Sequence, residues 1–160
     1  MITTSFQVQL KAVGQWYCWV VDLEINLKII VGAQGIPFSY ISRENDAPDQ
    51  TERDIWEEKS VLAVPLTGRL YKQDNLTVHN IILCNIADAS DAFTYVKPYI
   101  KKYDGRTDIK ALCSRYENVA MQEQYVSRAK RTIETIQYRN ERAMTFEKWV
   151  SNIVKAVDEI

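Results

Sequence analysis

Residues 145–160, TFEKWVSNIVKAVDEI, limit what this chain can fold into more than any other stretch. Phe146, Trp149, Val150, Ile153, Val154, Val157 and Ile160 fall at offsets 0, 3, 4, 7, 8, 11 and 14, which is one side of an α-helix. Thr145 stands where a hydroxyl can accept a first-turn N–H. So wide an apolar stripe has to cover itself with another helix or another copy of the chain. The segment before it, VAMQEQYVSRAKRTIETIQYRNER, has the same spacing through Met121, Tyr125, Ala129, Ile133 and Ile136. Its opposite side carries Arg128, Lys130 and Arg131, and the polar run RNER ends it. A short link between two such segments predicts an antiparallel helix pair.

Further upstream, DGRTDIKALCSRYEN places Asp104 and Asp108 on either side of Gly105. A calcium loop needs oxygen ligands at alternate positions and a distant glutamate, and neither is present. Ile109, Leu112 and Tyr116 instead mark a helix face, with Asp104 or Thr107 as its cap. DASDAFTYVKPYIKKY reads as a capped helix that breaks at Pro98. A helix with Leu76, His79, Ile82, Leu83 and Ile86 on one side follows the turn at Thr67-Gly68. NDAPDQ is a polar link into another helix, with Trp56 and Leu62. Near the N-terminus, Phe6, Leu10, Val13 and Tyr17 fit a helix. VDLEINLKI, however, alternates strictly from Val21 to Ile29, so a short strand or hairpin within residues 19–31 stands as the alternative. The expected fold is mainly α. It divides into lobes 1–103 and 104–160, or forms a single compact domain over 1–160.

Composition narrows the function classes. Three cysteines (Cys18, Cys84, Cys113), no C-x-x-C and a single histidine speak against a zinc site or a disulfide framework. Free thiols in a reducing, cytoplasmic compartment are the expected state. No stretch has the length and apolarity of a membrane span, and the N-terminus lacks the build of a signal peptide. No cofactor or metal is expected, and no catalytic residue stands out. Residues 1–96 carry a balance of −5 and residues 97–160 one of +4, within a net charge of −1. Opposite halves suit contact between lobes or subunits, and the basic half allows weak RNA contact.

Three features invite chemistry and are read against simpler accounts. Gly32-Ala-Gln-Gly35 matches the G-x-x-G of KH domains, which clamp a nucleic-acid backbone, but Pro37 and the uncharged loop residues favour a turn. His79 could act as a general base; a buried, hydrogen-bonded histidine is the stronger reading. Lys97, Lys101, Lys102, Arg106, Lys110 and Arg115 are the candidate RNA-contact set, weighed against a solvated basic face. Leu112, Tyr116, Ile133, Ile136, Phe146, Trp149 and Ile153 are the residues expected to pack the core or an assembly contact. Trp16 and Trp19 are weaker candidates for the same role.

DGRTDIKALCSRYEN, VSRAKRTIETIQY and AMTFEKWVSNIVKAVDEI, in that order, resemble the layout of copia-type LTR retrotransposon Gag polyproteins. Leu112 and Tyr116 fill the first unit of that layout, and Ile133 and Ile136 the second. Thr145, Phe146, Trp149 and Val157-Asp158-Glu159-Ile160 fill the third. GIPFSYISREND and WEEKSVLAVPLTGRLYKQDNLTVHNIIL extend the likeness upstream. The resemblance implies an all-helical capsid-like protein whose partner is itself, a homo-oligomer that assembles a virus-like shell and packages its own RNA. It also implies that the C-terminal lobe is truncated here. The family's Cys-Cys-His-Cys zinc knuckle does not occur in these 160 residues. A small nucleic-acid-binding module is the alternative function, and an enzyme using His79 the remotest one.

Overall fold

A computed structural model describes residues 3–135 and 145–158. Among the described residues there are seven α-helices: α1 (Val13–Ile29), α2 (Trp56–Ala63), α3 (Arg69–Cys84), α4 (Asp91–Val96), α5 (Gly105–Tyr116), α6 (Val119–Thr135) and α7 (Phe146–Asp158). Two 3-10 segments, Phe38–Ser42 and Lys97–Lys102, lie between them. The fold is mainly α. Extended pairing among the described residues is limited to two isolated bridges, Leu10 with Ile86 and Val31 with Pro37. Of the residues expected to pack, Ile136 lies outside the described residues.

The chain forms two compact units, Met1–Cys113 and Ser114–Ile160. The expected lobe boundary was Tyr103–Asp104. The first unit runs on into α5 because Gly105, Arg106 and Asp108 are all buried there.

A strand or hairpin over residues 19–31 does not form, since α1 runs through to Ile29. The buried face of α1 is Trp16, Trp19, Leu23, Asn26 and Leu27, at helical spacing. The alternation misleads because Ile25 and Ile29 are apolar yet exposed. They complete a period-2 pattern without sharing the buried side. Nor is the segment before Val13 helical, so the expected Phe6–Leu10–Val13–Tyr17 face does not exist. Residues 5–11 instead form a non-helical strap that bends at Gln7 and Val8. Asn26 holds it at one end, accepting from Ser5 N–H at 3.0 Å and donating to Ser5 O at 2.8 Å. At the other end Leu10 N–H donates to Asn85 O at 3.0 Å, and Ala87 N–H to Leu10 O at 2.9 Å.

Trp19 is fully buried, and its indole N–H donates to the same Asn85 carbonyl at 3.0 Å. Its ring lies 5.8 Å from those of both Phe6 and Trp16. The 3-10 segment Phe38–Ser42 is the hub of this unit. It packs against α1, α2 and α3 and buries Phe38, Tyr40 and Ile41. α3 turns Val78, Ile81 and Ile82 inward with Asp74, Asn75 and His79, whereas Leu76 is exposed. The face is therefore rotated from the Leu76–His79–Leu83 stripe expected from spacing. Apolar and polar residues share it, and the polar ones are satisfied inside.

Caps follow local chemistry. Ser90 Oγ accepts from Phe93 N–H at 3.1 Å, and Asp104 Oδ1 from Thr107 N–H at 3.0 Å. Asp104 is therefore the cap of α5. Gly105 sits where α5 meets α3, and a Cβ there would lie 2.7 Å from the His79 backbone nitrogen. Because backbone cannot yield as a side-chain tip can, Gly105→Ala is expected to cost about 1–3 kcal/mol. The midpoint of a urea titration measures it, and an unchanged midpoint would contradict the close crossing.

Candidate assembly face and buried polar centres

In the second unit α6 packs against α7. Thr145 caps α7 as expected, its Oγ1 accepting from Lys148 N–H at 3.2 Å. The 3.6-residue period then splits the apolar positions into two adjacent stripes. Trp149 and Ile153 are half-buried and Ala156 is buried, as are half-buried Ile133 and buried Ala129 on α6. Phe146, Val150, Val154 and Val157 form the second stripe and are 37–54% exposed. The Phe146 ring stacks on Trp149 at 5.7 Å and 29°. α7 thus exceeds the apolar width that one helix-to-helix contact covers.

The other packing candidates are interior. Leu112, Tyr116, Trp16 and Trp19 are all buried, so they act in the core and present no surface to a second molecule.

His79 and Asp108 form a buried centre between α3 and α5. Nδ1 of His79 lies 2.5 Å from Oδ2 of Asp108, with exposures of 2% and 0% for the two side chains. The Tyr103 ring packs edge-on against His79 at 5.7 Å. Asp108 Oδ1 is buried and has no hydrogen-bond partner among the described residues. Burial pushes the Asp108 carboxyl up to about 6; His79 opposes that rise, and Asp104 adds to it. As folded, the pair is closed to a substrate, so it is better suited to holding α3 against α5 than to proton transfer.

The G-x-x-G loop is also fixed from inside. Asp74, buried in α3, accepts from Ala33 N–H at 2.6 Å and Gln34 N–H at 3.3 Å. Tyr40 Oη donates to the same carboxylate at 2.7 Å. Burial, then Asp74, drives the Tyr40 phenol far above its usual range. A KH loop needs its amides turned toward a phosphate. Here a carboxylate of the same chain already occupies two of them.

The candidate RNA-contact set separates into two groups. Arg106 is only 7% exposed and faces inward. It donates to Ile41 O at 2.8 Å, Arg43 O at 2.6 Å, Glu44 O at 3.3 Å and Asp46 Oδ1 at 2.6 Å. That guanidinium stitches residues 41–46 to α5 and is not available to RNA. Lys110 Nζ reaches the same Asp46 at 3.1 Å, and Arg115 is half-buried. The hydrogen bonds from Arg106 and Lys110 hold the Asp46 carboxyl below its usual range. Lys97, Lys101 and Lys102 are exposed.

Sequence reasoning missed Asp74, Tyr40, Arg43 and Arg106 as structural centres. Arg43 parallels Arg106: it donates to Asn45 O, Val61 O, Val64 O and Asp46 O. One local signal existed. Asp74 stands one turn before Val78 on the inward side of α3, and a carboxylate on an apolar face needs a partner.

Among the described residues no cluster of His, Cys, Asp and Glu could hold a metal ion, and no helix is long and apolar enough to cross a membrane. Comparison with family models, curated proteins and solved structures found no match to this chain.

Proposed function

We propose that this chain is a structural, self-associating protein, a Gag-like capsid component of a copia-type retrotransposon that forms a shell around RNA in the cytoplasm. The observation that carries the reading is the exposed stripe of Val150, Val154 and Val157 on α7, beside the half-buried Trp149 and Ile153. Exposed apolar stripes next to a packed one are the usual form of a helix-mediated protein contact. The mainly helical fold and the free thiols of Cys18, Cys84 and Cys113 are consistent with it. The buried state of His79 gives an enzymatic reading no support.

Light scattering across a concentration series tests the proposal. The unmodified chain is expected to grow in mass with concentration, and Val150→Lys with Val154→Lys to remain monomeric. Both positions are exposed, so each change should leave the helical circular dichroism intact, with stability moved by no more than about 0.5 kcal/mol. A strict monomer at high concentration would remove the basis for a shell.

A further inference from the structure

The 3-10 segment Lys97–Lys102 and the residue after it, Lys-Pro-Tyr-Ile-Lys-Lys-Tyr, concentrate three lysines and two tyrosines with no acid between them. We propose that this segment is a stacking platform for single-stranded nucleic acid, with Tyr103 as the base-contacting ring and Lys97, Lys101 and Lys102 as phosphate contacts. The proposal deepens the shell reading by naming the RNA-facing surface, and it lies in the compact unit that does not contain α7.

Several observations point the same way. Tyr103 is 58% exposed although it is a large aromatic. Its backbone is left-handed, at φ 50° and ψ 42°. For a bulky side chain that conformation is strained, and strained residues gather where a side chain has to be aimed. The ring is aimed and braced. It meets the buried His79 ring in a T-shaped contact at 5.7 Å and 80°, and Asp104 next to it is anchored by Asn75 at 2.9 Å. A pre-positioned ring loses little freedom when a base stacks on it.

The lysines are placed to follow a backbone. A 3-10 helix has three residues per turn, so i and i+3 eclipse. Lys102 Nζ accordingly sits 5.3 Å over the Tyr99 ring. Lys97 shares its column with Ile100, and the left-handed Tyr103 ends the segment. All three lysines are exposed, and no carboxylate among the described residues pairs with them. Lys110, by contrast, is engaged with Asp46, and Arg106 is buried. Exposed rings interleaved with cations bind single strands with little sequence preference, because every base offers a π-face. A duplex keeps its bases stacked internally and cannot use the ring.

The test is fluorescence anisotropy of the full chain with an oligouridylate of about 12 nucleotides, within the usual site sizes for such surfaces. A duplex RNA of equal length and vesicles containing phosphatidylserine serve as the other arms. The single strand is expected to bind more tightly than the duplex, with a slope of log K against log salt near about −2 for three phosphate contacts. Tyr103→Ala is expected to weaken binding by about 10-fold, and Tyr103→Phe to leave it within about 2-fold. Lys101→Glu with Lys102→Glu should abolish it while circular dichroism is unchanged. Equal affinity for duplex and single strand, or indifference to Tyr103→Ala, would overturn the platform. Tight binding to the vesicles that competes with the oligonucleotide would reassign the surface to a lipid headgroup. The Val150→Lys, Val154→Lys chain separates the two proposals: RNA binding retained with assembly lost leaves the platform standing, and assembly without RNA binding does the reverse.

Discussion

Replacing His79 by alanine is expected to cost the first unit about 3–5 kcal/mol, because it leaves the buried Asp108 carboxylate with no partner on either oxygen. A domain of this size holds about 5–15 kcal/mol in all, so the variant should lose a large share of its stability. The denaturant midpoint measures the effect. A loss no larger than that of an ordinary surface substitution would mean the pair is not the tie between α3 and α5.

The same centre sets a pH dependence. Burial raises the Asp108 carboxyl from 3.8 to about 6 in the folded chain, so the folded state holds a proton that the unfolded state has released. The stability contributed by that proton is fully present below about pH 4 and is lost as pH rises through about 6. Asp108→Asn removes the titration. Relative to the native chain it should therefore look worst near pH 4 and improve toward pH 7, as midpoints at a series of pH values would show.

Arg106→Ala carries the second large effect, expected at about 2–6 kcal/mol, since each of two buried carbonyls left without a donor costs about 1–3 kcal/mol. It strands the carbonyls of Ile41 and Arg43, both buried residues, and leaves Asp46 with Lys110 alone. Lysine at this position should recover little, since one ammonium cannot reproduce a planar fork that meets four groups at once. Hydrogen exchange over residues 38–46 gives the local readout. Protection should fall there first, and unchanged protection would show that the loop stands without the guanidinium.

Much of the helical layout was legible, for identifiable reasons. α7 announces itself through an unbroken 3.6-residue period, and Thr145, Ser90 and Asp104 cap their helices through contacts only three residues away. α1 was ambiguous because Ile25 and Ile29 are exposed apolar residues, and periodicity assumes that apolar residues are inside. The strap ahead of Val13 was misread for a related reason. Phe6 and Leu10 are anchored by α1 and by the end of α3, not by one another. Arg106 was assigned to a basic surface because its charge is visible in the sequence and its acceptors are not. They lie 60–65 residues away. The Asp74 partners are equally remote, at separations of 34–41 residues.

The doubly used carbonyl of Asn85 has a temporal corollary. The Trp19 indole and Leu10 amide both await an acceptor that is made 66 residues after Trp19. On a ribosome adding about 5–20 residues per second, that interval lasts several seconds. During it, α1 emerges with its tryptophan face uncovered. The order of synthesis thus leaves the tryptophan face of α1 waiting on one peptide oxygen, and slower translation is expected to lengthen that wait.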